Sequence, residues 1–147
     1  MLERAALRCD KENTGLTLLG VTVLTSLDRT DLAAVGIDVD PSQQVLRLAS
    51  LAQAVGIRGF VCSAREVAQL RQAVGRQPIL VTPGIRPAGA SSGDQKRVAT
   101  PASAIADGAN LLVVGRPIRD AADPLAAARS IVTEIDHALT SRPAGSA

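Results

Sequence analysis

The sequence predicts a parallel α/β sheet built from about four βα units, on three observations. Four short runs rich in Leu, Ile and Val, at residues 16–24, 59–62, 79–82 and 111–114, alternate with segments of helical period. The first run, LTLLGVTVL, is nearly continuous in apolar residues, as strands covered on both faces are. No G-x-G-x-x-G opens a helix after a strand, so the phosphate fingerprint of the dinucleotide-binding fold is missing. Two architectures compete: an open doubly wound sheet, or part of a (βα)8 barrel. A whole barrel takes about 250 residues, and four βα units make half of one.

The helices follow from local signals. Leu2, Ala5, Ala6 and Cys9 mark the end of a helix that runs into a polar loop. A short helical turn fits between residues 26 and 40, where Asp28 and Asp31 read as loop and cap residues. Asp40 is a natural N-cap with Pro41 at the first helical position, and Val45, Leu48, Ala49, Ala52 and Val55 recur at helical spacing up to Gly56. Ser63-Ala64-Arg65-Glu66 has the form of a capping box, ahead of Val67, Leu70 and Val74 and a stop at Gly75. Thr100-Pro101 and Asp123-Pro124 open the last two helices. The final one carries Leu125, Ala128, Val132, Ile135 and Leu139 as its expected buried stripe. Residues 1–140 thus read as one domain, and 141–147 as a small polar, flexible tail.

Composition excludes several function classes. Apolar residues make up 46% and charged residues 20%, which fits a globular chain and not a disordered one. A net charge of +2 lacks the basic surface of a nucleic-acid binder, and Phe60 as the one aromatic residue gives no stacking platform for bases. Cys9 and Cys62 make no disulfide framework or metal spacing, and His137 alone builds neither a His-rich metal site nor a triad. No apolar run reaches membrane-spanning length, and the N-terminus has no signal-peptide pattern, so the expected compartment is the cytoplasm.

In either architecture function gathers where strands end. Two exits stand out: Thr82-Pro83-Gly84-Ile85-Arg86-Pro87 and Gly115-Arg116-Pro117. Each pairs a glycine, which lets backbone N–H groups approach a ligand, with an arginine suited to an oxyanion. An ordinary surface turn would look the same at either exit alone, but two on consecutive strands favour a phosphate site. The polar connection at 87–98, PAGASSGDQKRV, has the parts of a lid over an anion, and equally those of a solvated loop. Cys62 at a strand end reads as a buried thiol, and His137 as a surface residue.

Taken in order, V-T-V-L-T-S (21–26), V-C-S-A-x-E (61–66), L-V-T-P-G-I-R-P (80–87), G-D-Q-K-R (93–97), T-P-x-x-A-x-x-x-G-A (100–109) and V-x-G-R-P-I (113–118) resemble bacterial orotidine 5′-phosphate decarboxylases, over essentially all of residues 15–137. The resemblance implies the C-terminal half of a (βα)8 TIM barrel. It also implies conversion of orotidine monophosphate to UMP without metal or organic cofactor, a small-molecule nucleotide as partner, and a homodimer. It places Thr25 near the pyrimidine-ribose end, Arg86 and Gln95 in the loop over the nucleotide, and Gly115 and Arg116 on the phosphate. Thr25 and Gln95 are singled out by the resemblance alone.

The family's catalytic centre is an Asp-x-Lys-x-x-Asp segment whose lysine protonates the C6 carbanion left by departing carbon dioxide. No such segment occurs in these 147 residues, nor do the family's ribose-binding Asp and Lys of earlier strands, so no catalytic residue is assigned. The resemblance places residue 1 within the fourth barrel helix. The expectation is a half barrel with two open sheet edges and an uncovered interior face, inactive by itself. A related phosphosugar barrel of the hexulose-phosphate synthase kind, and a non-catalytic half-barrel that binds phosphate or serves in assembly, are the alternatives.

Overall fold

The computed structural model describes residues 1–87 and 99–141. The connection at 88–98, with Gln95, and the tail at 142–147 lie outside the described residues. Helix α1 (Leu2–Lys11) precedes strand β1 (Leu19–Val21). Helices α2 (Arg29–Ala34) and α3 (Pro41–Ala54) lead to β2 (Gly59–Val61), and a 3-10 turn (Ala64–Glu66) with α4 (Val67–Val74) leads to β3 (Ile79–Thr82). Helix α5 (Pro101–Ala106) precedes β4 (Leu111–Leu112), and α6 (Arg116–Arg119) and α7 (Pro124–Thr140) follow it. The four strands form one sheet in the order β1-β2-β3-β4, with every neighbouring pair parallel.

Strand register divides the sheet into two unlike faces. Gly20, Phe60 and Leu80 stand in line across β1, β2 and β3 and are buried. Phe60 and Leu80 belong to one core with Val45, Ala49 and Ala52 of α3, Val67, Leu70 and Val74 of α4, and Ala104 of α5. The opposite line is Val21, Val61, Val81 and Leu111. Its two ends are open, Val21 60% and Leu111 56% exposed. A doubly wound sheet carries helices on both faces; here they cover one, which decides for the barrel segment. The expectation that the first strand is covered on both faces therefore fails: in β1 Gly20 is buried while Leu19 and Val21 are exposed. The expected uncovered interior face is present.

Local chemistry sets the helix starts. Asp40 accepts from the Ser42 N–H at 2.9 Å, Thr100 Oγ1 from Ser103 N–H at 3.2 Å and Asp123 from Ala126 N–H at 3.0 Å, each relieving an orphan donor of the first turn. The reciprocal capping box, expected at Ser63 and Glu66, is found at Asp28 and Asp31 instead, opening α2. Ser63 Oγ accepts from Arg65 N–H, which tightens the chain into the 3-10 turn and sends Glu66 inward to 1% exposure.

The register of α7 also differs from expectation. Leu125, Val132 and Leu139 are 50–59% exposed, and Ile131 is the buried residue of this helix. The helix is turned by its contact with α5, where Glu134 Oε1 accepts from the Ala102 N–H at 3.1 Å. The apolar row 125/132/139 is left outside. Strand β1 is shorter than the apolar run 16–24 because its regular pairing with β2 spans Leu19–Val21.

Close approach of β1 to β2 depends on Gly59. A Cβ there would run into the Leu19 Cδ2 and stand 3.1 Å from the Leu18 carbonyl oxygen.

Candidate functional site

Because all four strands run the same way, their C-terminal ends and the loops that leave them share one rim. At the β1 exit, the Thr22 hydroxyl donates to the Val61 carbonyl at 2.7 Å and fixes the chain against β2. The Leu27 N–H returns to the Leu24 carbonyl at 3.0 Å, closing a turn around Thr25. Thr25 is buried to 8% exposure. It lines an open cleft of roughly 250 Å³ with Val23, Ser26, Cys62 and Pro83. The cleft is mainly apolar, with two hydroxyls and a thiol on its wall. Cys62 is buried as expected, yet it also faces this cleft.

At the β3 exit the chain turns through Gly84, whose φ of +77° is the left-handed region that favours glycine. Ile85, fully buried, forms a parallel bridge with Ala99, and the Arg86 N–H donates to the Ala99 carbonyl at 2.9 Å. Main-chain pairing thus closes the base of the 87–98 connection. Arg86 is 8% exposed, and its Nη1 donates to the Ile85 carbonyl at 2.8 Å. Part of the guanidinium fork therefore serves the turn itself.

The β4 exit lies beside it. Val113 N–H donates to the Thr82 carbonyl at 3.0 Å, tying the two exits together just past the strands. Gly115 is the N-cap of α6, and its carbonyl accepts from the Ile118 and Arg119 N–H groups, both at 3.0 Å. A Cβ on Gly115 would meet nothing within 4 Å, so its backbone borders open space. Arg116, the first residue of α6, is half-buried. Close by, Arg119 holds Asp120 through two bonds, Nε to Oδ1 at 2.6 Å and Nη2 to Oδ2 at 2.9 Å. The Arg119 hydrogen bond holds the Asp120 carboxyl below its ordinary range. The Arg119 and Arg116 charges add to this, and burial opposes it.

Four of the five expected site residues, Thr25, Arg86, Gly115 and Arg116, thus leave the sheet from the same rim. Arg86 and Arg116 follow neighbouring strands. Thr25 follows the far edge strand, about 10 Å from β3 and about 14 Å from β4 along the sheet at about 4.8 Å per strand. The cleft brings Thr25 together with Pro83; Arg86, Gly115 and Arg116 do not line it. Sequence reasoning did not foresee Glu66 as a buried carboxylate, because S-x-x-E reads alike for a solvated cap and for an inward turn. No group of three or more His, Cys, Asp or Glu among the described residues could hold a metal ion. None of their helices is long and apolar enough to cross a membrane.

A parallel sheet with helices on one face and its polar exits gathered at one rim is a segment of a (βα) barrel, a class whose ligands bind at the strand C-termini. Residues 1–131 match the profile of the orotidine 5′-phosphate decarboxylase / HUMPS family, and the chain belongs to that family. It is 60% identical over 117 residues to an orotidine 5′-phosphate decarboxylase of Anaeromyxobacter sp. (strain K), covering 80% of this chain and 52% of that protein. It is 55% identical over 122 residues to one of Vibrio atlanticus (strain LGP32), covering 83% and 51%.

Among solved structures, the orotidine 5′-phosphate decarboxylase from Lactobacillus acidophilus superposes with a TM-score of 0.68 at 39% identity, covering 82% of this chain and 49% of that one. The orotidine 5′-monophosphate decarboxylase from Sulfolobus solfataricus shares the fold, with a TM-score of 0.64 at 21% identity over 94% of this chain and 56% of that one. The chain therefore spans about half the length of the relatives it matches, and its sheet is part of a TIM barrel.

Proposed function

We propose that this chain supplies the phosphate- and nucleotide-binding half of an orotidine 5′-phosphate decarboxylase, which forms UMP in pyrimidine biosynthesis in the cytoplasm. The observation that carries this reading is the pairing of the β3 and β4 exits, which sets Arg86 and Arg116 on adjacent strand ends of one rim. In this reading the Gly115 backbone and the Arg116 guanidinium take the phosphate, a charge-assisted contact of the strong kind. Thr25 and its apolar cleft take the pyrimidine-ribose end, while Arg86 and Gln95 belong to the loop over the nucleotide.

Decarboxylation also needs a proton for C6 of the pyrimidine once the carboxylate has left as carbon dioxide. The family's Asp-x-Lys-x-x-Asp segment, which delivers it, is not among these residues. The 147-residue chain alone is therefore a binding half without turnover.

Isothermal titration with UMP and with inorganic phosphate, beside an assay of carbon dioxide release from orotidine monophosphate, tests this. Weak UMP binding that R116A lowers by about tenfold or more, with no turnover, is the expected result. Measurable turnover by the chain, or UMP binding indifferent to R116A, overturns it.

A further inference from the structure

Glu66 and Arg86 are the buried charged side chains among the described residues, at 1% and 8% exposure. They carry opposite signs and leave neighbouring strands. Glu66 ends the 3-10 turn that follows β2, and Arg86 lies in the turn that follows β3. The two exits are still joined one residue past β2, where the Cys62 N–H donates to the Val81 carbonyl at 3.1 Å. Beyond that bond the β2 exit folds in, and the Glu66 N–H donates to the Ser63 carbonyl at 3.1 Å. Helix α5 packs on this turn. The same helix opens just after Ala99, to which Ile85 and Arg86 are tied by main-chain pairing. The turn of Glu66 and the exit of Arg86 are thus both held by α5 and the segment that opens it.

A single buried charge is costly, whereas opposite charges in one low-dielectric layer offset each other even without touching. We propose that Glu66 is a positioning residue of the nucleotide site: its carboxylate is the buried counter-charge that holds the Arg86 guanidinium at the β3 exit. This rests on the reading of the rim as a nucleotide site. Arg86 spends Nη1 on the Ile85 carbonyl, so ligand binding depends on where the rest of its fork is held. Glu66 does not line the cleft of Thr25; it acts through Arg86. The phosphate, taken by Gly115 and Arg116, is independent of it.

Glutamine keeps the shape of glutamate without its charge, so E66Q tests the charge alone. Titration with UMP and with inorganic phosphate, on chains verified as folded by circular dichroism, separates the roles. E66Q is expected to weaken UMP binding by about tenfold and to leave phosphate binding within about twofold. E66D, which keeps the charge, restores part of the UMP affinity. E66Q/R86Q binds UMP no more weakly than R86Q alone, because Glu66 acts through Arg86. Urea unfolding needs no ligand. The double variant, with both charges gone, keeps a higher midpoint than E66Q, whose Arg86 is left buried without compensation. Unchanged UMP binding by E66Q, parallel losses of UMP and phosphate, or a double variant no more stable than E66Q overturns the proposal. UMP binding indifferent to R116A overturns the nucleotide reading instead, and the urea comparison then still decides whether the two charges offset each other.

Discussion

The Nη2 of Arg71 donates to Asn110 Oδ1 at 2.6 Å, and the same oxygen accepts the Leu80 N–H at 2.8 Å. Arg71 also donates to the carbonyls of Gly75, Arg76, Pro78 and Gly108 at 2.8–3.2 Å. One guanidinium thus ties the end of α4 to the segments that enter β3 and β4, at the end of the sheet opposite the rim. Only a planar fork reaches so many acceptors, and a lysine does not reproduce it.

The expected consequence is a loss of stability without a change at the ligand end. N110A removes the acceptor and strands the Leu80 N–H, at a cost of about 2 kcal/mol. R71K is destabilised to a similar degree, and the double variant costs clearly less than the sum, since the two residues share one network. Urea unfolding of the four proteins checks this. Additive losses would show that Arg71 and Asn110 act independently.

Thr82 closes β3 with a hydroxyl that is fully buried and has no hydrogen-bond partner among the described residues. Burial of an unsatisfied hydroxyl costs about 1–3 kcal/mol on mutational scales. T82V keeps the shape and removes that cost. It should therefore raise stability by about 1 kcal/mol and move the urea midpoint upward with an unchanged slope. A lowered midpoint would mean that the hydroxyl is satisfied in solution.

What could be read from the sequence was what is decided within a few residues. Asp40, Thr100 and Asp123 cap the helices that their spacing predicted, because a cap is a bond across two or three residues. The Pro-Gly-Ile-Arg and Gly-Arg-Pro exits were legible for the same reason, as glycine and arginine directly after an apolar run. The Arg71 staple was not, since its partners at Gly108 and Asn110 lie 37 and 39 residues away. Nor was the outer face of α7. Its apolar row is visible in the sequence, but which face turns inward depends on Glu134 reaching α5. Ser63 and Glu66 matched a capping box in pattern only; the backbone donor that Ser63 accepts decides the outcome.

Gly59 gives a packing prediction. In G59A the new methyl meets the Leu19 side chain, which can move, and the Leu18 carbonyl, which is main chain. Separating β1 from β2 costs about 1–2 kcal/mol, in the range of overpacked interiors. The loss should fall with L19A in the same chain, because part of the collision is with that side chain. Thermal unfolding of G59A, L19A and G59A/L19A measures it. An equal penalty with and without Leu19 would assign the whole effect to the backbone.

The Arg119–Asp120 pair makes a prediction about pH. The Arg119 hydrogen bond depresses the Asp120 carboxyl, and both side chains are more than half exposed. A depressed carboxyl contributes stability above its unfolded value and loses it as pH falls through the folded one. For so exposed a pair the stability change is slight, so the titration itself is the measurement. Carboxyl NMR should find Asp120 titrating below a reference aspartate, returning upward in R119A and, more weakly, in R116A. Added salt should narrow the gap. An Asp120 that titrates alike with and without Arg119 would show the pair to be open in solution.

Arg86 and Arg116 stand at adjacent exits but in different surroundings, and this separates binding from folding. Arg86 is 8% exposed, with Nη1 bonded to the Ile85 carbonyl at the base of the 87–98 connection. R86A therefore withdraws a buried charge and its hydrogen bonds, and should cost about 2–3 kcal/mol of stability as well as ligand affinity. Arg116 is half-buried at the start of a four-residue helix, so R116A should cost clearly less stability than R86A. Its effect falls on phosphate binding. Urea unfolding without ligand, set beside UMP titration, resolves the two. Were R116A to lose as much stability as R86A, its weakened binding would report a damaged fold and not a lost phosphate contact.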